Sequence, residues 1–165
     1  MSPDFVISQR FDLPRERMFA LWTDAAQLQQ WFGPAGVTVP SCHMDLRVGG
    51  HFHFCMRSPD GAEIWGKWVF QDISAPQGLV WLHSFSSPQG EPTRHPMSPT
   101  WPLELLSTVR FEEHPETGQT TVTVRWATHQ ANPLEQATFD MAHDSMRMGW
   151  TGTFSQLQAF IQRQA

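Results

Sequence analysis

From Asn132 onward the chain carries the pattern of one long amphipathic helix, and that pattern constrains everything before it. Asn132 suits an N-cap, Pro133 fits the first helical position, and Glu135 is placed to reach back to the cap. Phe139, Ala142, Met146, Trp150, Phe154, Leu157 and Ile161 then recur at steps of three or four, tracing one apolar stripe. Such a stripe must be buried against something. Most of the preceding chain alternates like β-strands, so the expectation is an α+β fold in which a curved antiparallel sheet wraps the helix. Pairings of this kind often leave a cavity between their partners.

Along the chain, Phe5, Ile7 and Phe11 alternate with polar residues as a first strand. Pro14 starts a short helix through about Trp22, and Thr23-Asp24 cap a second that ends at Gly33-Pro34. Val37–Val48 and His51–Arg57 read as a hairpin around Gly49-Gly50. A three-residue loop pairs Asp45 with His53 and Leu46 with Phe52, which keeps Met44, Leu46, Phe52 and Phe54 on one face. The strand from Glu63 to Ile73 buries Ile64, Trp68 and Phe70, with Lys67 and Gln71 outward. Further strands follow over Leu79–Phe85, Leu105–Phe111 and Thr121–Trp126, the last placing Val122, Val124 and Trp126 inward. The connection from Ser86 to Pro102, rich in proline, leaves two readings open: a semi-rigid flap over a cavity mouth, or an inert surface excursion.

At 165 residues the chain fits one domain spanning 1–165, long enough for a substantial core. A net charge of −5 without a basic run argues against a nucleic-acid groove or a polybasic membrane patch. No stretch approaches the roughly 20 apolar residues of a membrane span. The first residues lack the pattern of a signal peptide, and Cys42 and Cys55 form no disulfide framework, so a cytoplasmic location is expected. Twelve Phe and eight Trp against no Tyr leave two readings open: a bulky core, or a pocket for a flat or greasy ligand.

The order of elements and several local motifs resemble the activator of heat-shock-protein ATPase homologue family, within the START-like and birch-pollen-allergen-like (SRPBCC) superfamily. The residues behind this are Phe11 to Phe19, Trp31-Phe32-Gly33-Pro34, Asp45 to Gly50, Gly61 and Gly149-Trp150. The resemblance runs from about Phe5 to Ile161. It implies a helix-grip fold: a seven-stranded antiparallel sheet gripping the C-terminal helix, with a deep pocket between them. Superfamily members bind lipids, hormones and polyketides, and some catalyse cyclisation or hydrolysis. The eukaryotic co-chaperone behind the family name carries an additional chaperone-binding domain for which this chain has no room. A chaperone partner is therefore not inherited from the resemblance.

Two constellations are candidates for chemistry. His51 and His53 share a strand face with Asp45 opposite in the adopted register, a donor set suited to zinc. That face lies opposite Phe52 and Phe54, however, where a one-sided sheet is polar in any case. On the last helix, His143 lies three residues from Asp140 and borders the apolar stripe, the arrangement of a general base beside a carboxylate. Nucleophile elbows, nucleotide-binding glycine loops and Cys-x-x-Cys pairs are missing from the sequence, and no motif calls for a cofactor.

The leading expectation is a binder of a small hydrophobic molecule. Its cavity is expected to be lined by Phe52, Phe54, Trp68 and Phe70, with Val109, Val124 and Trp126 from the later strands. Met146, Trp150 and Phe154 close it from the helix. Trp101 and His95 stand near the entrance, with His83 or His143 as an orienting polar group. The competing classes are a cyclase- or hydrolase-type enzyme using His143 and Asp140, and a chaperone-related interaction module with a filled interior and an exposed apolar patch. A monomer and a homodimer are equally compatible with the sequence.

Overall fold

Alternation of apolar and polar residues drives most of the chain into strands, and a computed structural model describes residues 3–164. Strand β1 (Phe5–Phe11) buries Phe5, Ile7 and Phe11. Two short helices follow, α1 (Arg15–Thr23) and α2 (Ala25–Trp31). The Asp24 carboxylate caps α2 by accepting from the Ala26 amide at 3.0 Å. Then come β2 (Thr38–Met44), β3 (His51–Arg57), β4 (Glu63–Ser74), β5 (Gly78–Ser86), the two-residue β6 (Pro92–Thr93), β7 (Glu104–His114) and β8 (Gln119–His129). Helices α3 (Pro133–Met141) and α4 (His143–Gln164) complete the described chain.

The strands form one curved antiparallel sheet in the order β1-β8-β7-β5-β4-β3-β2, with β6 pairing β5 off this path. Its inner face meets α1, α2 and α4. Phe52, Trp68, Phe70, Val109, Phe111, Val122 and Val124 project there and are almost fully buried.

Several expectations need correction. The terminal helix is not continuous. At Ala142 the backbone turns to φ −100°, ψ 4°, and the Ala142 amide bonds Phe139 O at 3.1 Å, one residue closer than in an α-helix. The break lets α3 bury Phe139 and Glu135 on its own axis while α4 turns Met146, Trp150, Phe154 and Leu157 to the sheet. In the last turns Phe160 is buried more deeply than Ile161.

The β2–β3 register is also offset by two residues: Met44 pairs with Phe52 and His43 with His53, so Asp45 does not face His53. Gly49 and Gly50 are used differently from a tight hairpin. The Gly49 amide bonds Phe70 O at 2.8 Å, and the Phe70 amide bonds Gly50 O at 2.9 Å. A Cβ on Gly50 would lie 2.1 Å from Asp45 O, so only glycine allows this fold-back onto β4. A shift of two preserves which side chains face inward, because the strand period is two. Met44, Phe52 and Phe54 keep their common face, while Leu46 is carried into the exposed loop. Ile64, expected to be buried, is also largely exposed, at the outer end of β4.

Trp150 fastens α4 to the rest. Its ring stacks on Trp22 (centroids 6.1 Å apart, 13° between planes) and meets Trp126 edge-on at 5.8 Å. Replacing it with alanine removes both contacts and leaves a large void. Trp150→Ala is predicted to cost about 3–5 kcal/mol in urea denaturation. A loss below about 1 kcal/mol would mean that the indole is not carrying the helix–sheet contact.

Candidate functional site: a cavity between sheet and helices

Large rings fill one part of the space between sheet and α4, and small side chains leave the neighbouring part open. Thr138, Ala142, Ser145 and Gly149 follow helical spacing along α3 and α4 and line a cavity of about 520 Å³. That lies within the roughly 300–1,000 Å³ range of small-molecule sites. Opposite them stand Phe54, Gly66, His83, Phe85, Leu105 and Trp126 from the sheet. Gly66 matters for a steric reason. A Cβ there would lie 2.6 Å from the Phe54 ring, so glycine lets that ring lie across β4 and form part of the wall.

The segment after β6 covers one side of the cavity with His95, Ser98 and Trp101. It is tied to α3 by polar contacts. Arg94 pairs with the Glu135 carboxylate and donates to Trp101 O at 3.3 Å, while Thr138 Oγ1 donates to Thr100 Oγ1 at 2.8 Å. Glu135 also accepts from the Asn132 amide in a capping box. That backbone bond and the Arg94 guanidinium hold the Glu135 carboxyl below its usual range. His95 packs on Phe85 at 4.8 Å and Trp101 on Phe139 at 6.0 Å, so the segment's inner side is aromatic.

Of the residues expected from sequence to line a cavity, Phe54, Trp101, Trp126, Met146 and Trp150 do so, as does His95. Phe52, Trp68, Phe70, Val109, Val124 and Phe154 lie instead in the packed core. The reason is local crowding: Trp68 stacks on Trp81 at 4.0 Å and meets Phe52 at 4.9 Å, closing that part of the interior. Sequence reasoning missed Phe32, Met56, Leu105 and the small residues of α4. The signal that would have found the last group is a run of small side chains beside bulky ones on one helix face.

The polar candidates separate. His143 is wedged edge-on between Phe5 (5.9 Å) and Phe139 (5.2 Å), with Nε2 buried and unpartnered. Asp140 is exposed, and no hydrogen bond or ion pair joins the two among the described residues. The expected acid–base pair is therefore not assembled. On the outer face, His43 and His51 share a hydrogen bond of 3.0 Å, and Asp45 pairs with Arg47 at 2.7 Å. Burial, then the His43 imidazole, holds His51 below its ordinary pKa. His53 turns away to Ser86 Oγ and Ser87 O, both at 3.1 Å, and stacks on Trp65. The offset register separates the proposed donors, and the described residues contain no cluster of three or more suited to a metal.

One titratable side chain lies fully inside the cavity wall. His83 on β5 meets Trp126 edge-on at 5.2 Å, and burial alone pushes its pKa down to about 4 from 6.5. It is a neutral imidazole at physiological pH.

An antiparallel sheet closed by a C-terminal helix, with an apolar cavity between them, defines the chain as a helix-grip protein of the START-like class. Residues 12–162 match the family described as activator of Hsp90 ATPase homolog 1-like protein, and the chain belongs to that family. Solved structures of the same fold include a protein from Arthrobacter aurescens (29% identity, 97% of this chain and 86% of that one, TM-score 0.76). A Mycobacterium smegmatis protein (24% identity, 94% and 88% covered, TM-score 0.74) and the AHSA1 protein of Silicibacter pomeroyi (19%, 99% and 100%, TM-score 0.72) are similar in fold. No curated protein sequence matches the chain.

The neutral His83 makes stability pH-dependent. Below pH 6.5 the unfolded chain takes up a proton that the folded site refuses, so stability falls as pH drops from 6.5 toward 4. From pH 7 to pH 5 the loss from this group is predicted at about 2 kcal/mol. Urea midpoints of wild type and His83→Phe at both pH values check this, and the variant should lose that much less. Equal losses would show that His83 titrates normally in the folded protein.

Proposed function

We propose that this protein binds a small hydrophobic or aromatic molecule in the cavity between the sheet and the α3–α4 face. The observation that carries the reading is the chemistry of the wall. It is mainly apolar and aromatic, and among the described residues it includes no aspartate, glutamate, lysine or arginine. Burial of apolar surface is then the dominant attraction for an occupant, at about 25 cal/mol per Å². Met146 and Trp150 supply the helix side, Phe54 and Trp126 the sheet side, and Trp101 part of the cover.

This reading is favoured over a catalytic one because His143 and Asp140 stand apart and the cavity wall presents no carboxylate. It is favoured over an interaction module because the interior is not filled. The family description refers to activation of a chaperone ATPase, and nothing in the site calls on that activity. A cytosolic place of action accompanies the proposal, supported by the two free thiols Cys42 and Cys55.

Gly149 supplies a direct test. A Cβ built there meets nothing within 4 Å, so a larger side chain projects into open space rather than into the core. Gly149→Leu should leave thermal stability equal or higher, since glycine inside a helix costs about 1 kcal/mol. The same variant should weaken saturable binding of N-phenyl-1-naphthylamine, followed by dye fluorescence, by roughly tenfold or more as the cavity fills. Undiminished dye affinity in a folded Gly149→Leu protein would place the dye elsewhere and count against the proposal.

A further inference from the structure

One wall of the cavity is attached differently from the others, and this inference rests on the binding reading above. The sheet walls are fixed by ladders from β4 through β5 to β7, and α4 is clamped by Trp150 between Trp22 and Trp126. Residues 95–101 have neither kind of anchor. Their backbone bonds close two consecutive turns, from Ser98 N to His95 O at 3.4 Å and from Trp101 N to Ser98 O at 3.0 Å. Among the described residues, no backbone hydrogen bond leaves this stretch for another element. Met97 N also donates to His95 Nδ1 at 3.0 Å and Arg94 to Trp101 O at 3.3 Å, while Pro96 and Pro99 fix φ at their positions. The segment is thus closed on itself, which makes it one stiff piece.

Side chains alone hold that piece over the cavity. Arg94 pairs with Glu135, and Thr100 Oγ1 accepts from Thr138 Oγ1 at 2.8 Å, both contacts reaching α3. His95 on Phe85 and Trp101 on Phe139 add ring contacts. Parts of a fold held by few contacts open at the lowest free energy. Opening here strands no buried charge, because Glu135 Oε1 still accepts from the Asn132 amide at 3.0 Å and the half-exposed Arg94 side chain reaches water. Helix α3 therefore keeps its cap when the segment lifts. We propose that residues 94–102 are a lid hinged at β6 and at the start of β7, latched by the Arg94–Glu135 pair, and that a ligand enters and leaves beneath it.

Exchange of N-phenyl-1-naphthylamine with the full chain, followed by stopped-flow fluorescence, tests the lid. Arg94→Gln removes the latch at a residue outside the cavity wall, and Glu135→Gln does so while keeping a side chain suited to the capping box. In each folded variant, verified by its melting curve, association and dissociation should quicken together, each about fivefold. A chain carrying both Thr100→Cys and Thr138→Cys can fasten the lid covalently, since its thiols replace hydroxyls 2.8 Å apart. Oxidised, it should exchange dye about tenfold more slowly than after reduction, a comparison made within one chain. Unchanged rates in both latch variants would overturn the lid and leave the cavity reading intact. Faster dissociation with an equal loss of affinity would overturn it too, because the segment would then be a static wall. Failure of the wild type to bind the dye saturably would instead overturn the cavity reading, and this inference with it.

Discussion

The indole of Trp150 sits between Trp22 of α1 and Trp126 of β8, and the remaining packing is arranged around that contact. Trp22 in turn touches Trp31, Trp81 and Phe111, so one helix residue is coupled to both short helices and to the middle of the sheet. Phe154 extends the contact to Phe11 at 5.6 Å, and Leu157 is fully buried in the same core. These rings hold α4 at a fixed distance from the sheet. Where α4 then presents Ser145 and Gly149, and Thr138 of α3 and Ala142 at the break stand beside them, the fixed distance cannot be closed by side chains. A cavity is the geometric result of large residues acting as spacers beside small ones.

That arrangement gives the cavity its chemistry as well as its volume. Aromatic spacers make its walls apolar, and the polar side chains the sheet brings to it, His83 and Ser84, are neutral. Charged residues are kept outside, where Arg94 and Glu135 tie the covering segment to the start of α3. The Glu135 carboxylate joins two local structures, since it closes the α3 capping box and also anchors the segment that carries His95 and Trp101. Helix initiation and coverage of the cavity thus depend on the same side chain.

Much of this could be read from the residues. The inward faces of β1, β4, β7 and β8 followed from alternation, and the Asn132–Glu135 cap was visible as a short motif. The β2–β3 register could not be fixed, because offsets of two keep the same faces and Gly49-Gly50 suits both a hairpin and a fold-back onto Phe70. The break at Ala142 was hidden for a similar reason: Phe139, Ala142 and Met146 keep helical spacing across it. The division between core and cavity wall was the least legible feature. Phe52 and Phe54 are equivalent in pattern, yet Phe52 packs against Trp68 while Phe54 reaches over Gly66 to the cavity. Only the spacing in three dimensions distinguishes them.

The central claim is that a ligand enters the space between sheet and helix. Methionine methyl groups report on it directly, since Met56 and Met146 line the cavity while Met97, Met141 and Met148 are exposed. With methyl-labelled methionine, intermolecular nuclear Overhauser effects from bound N-phenyl-1-naphthylamine should reach Met56 and Met146. Effects confined to Met97, Met141 or Met148 would place the ligand on the outer surface and contradict the account.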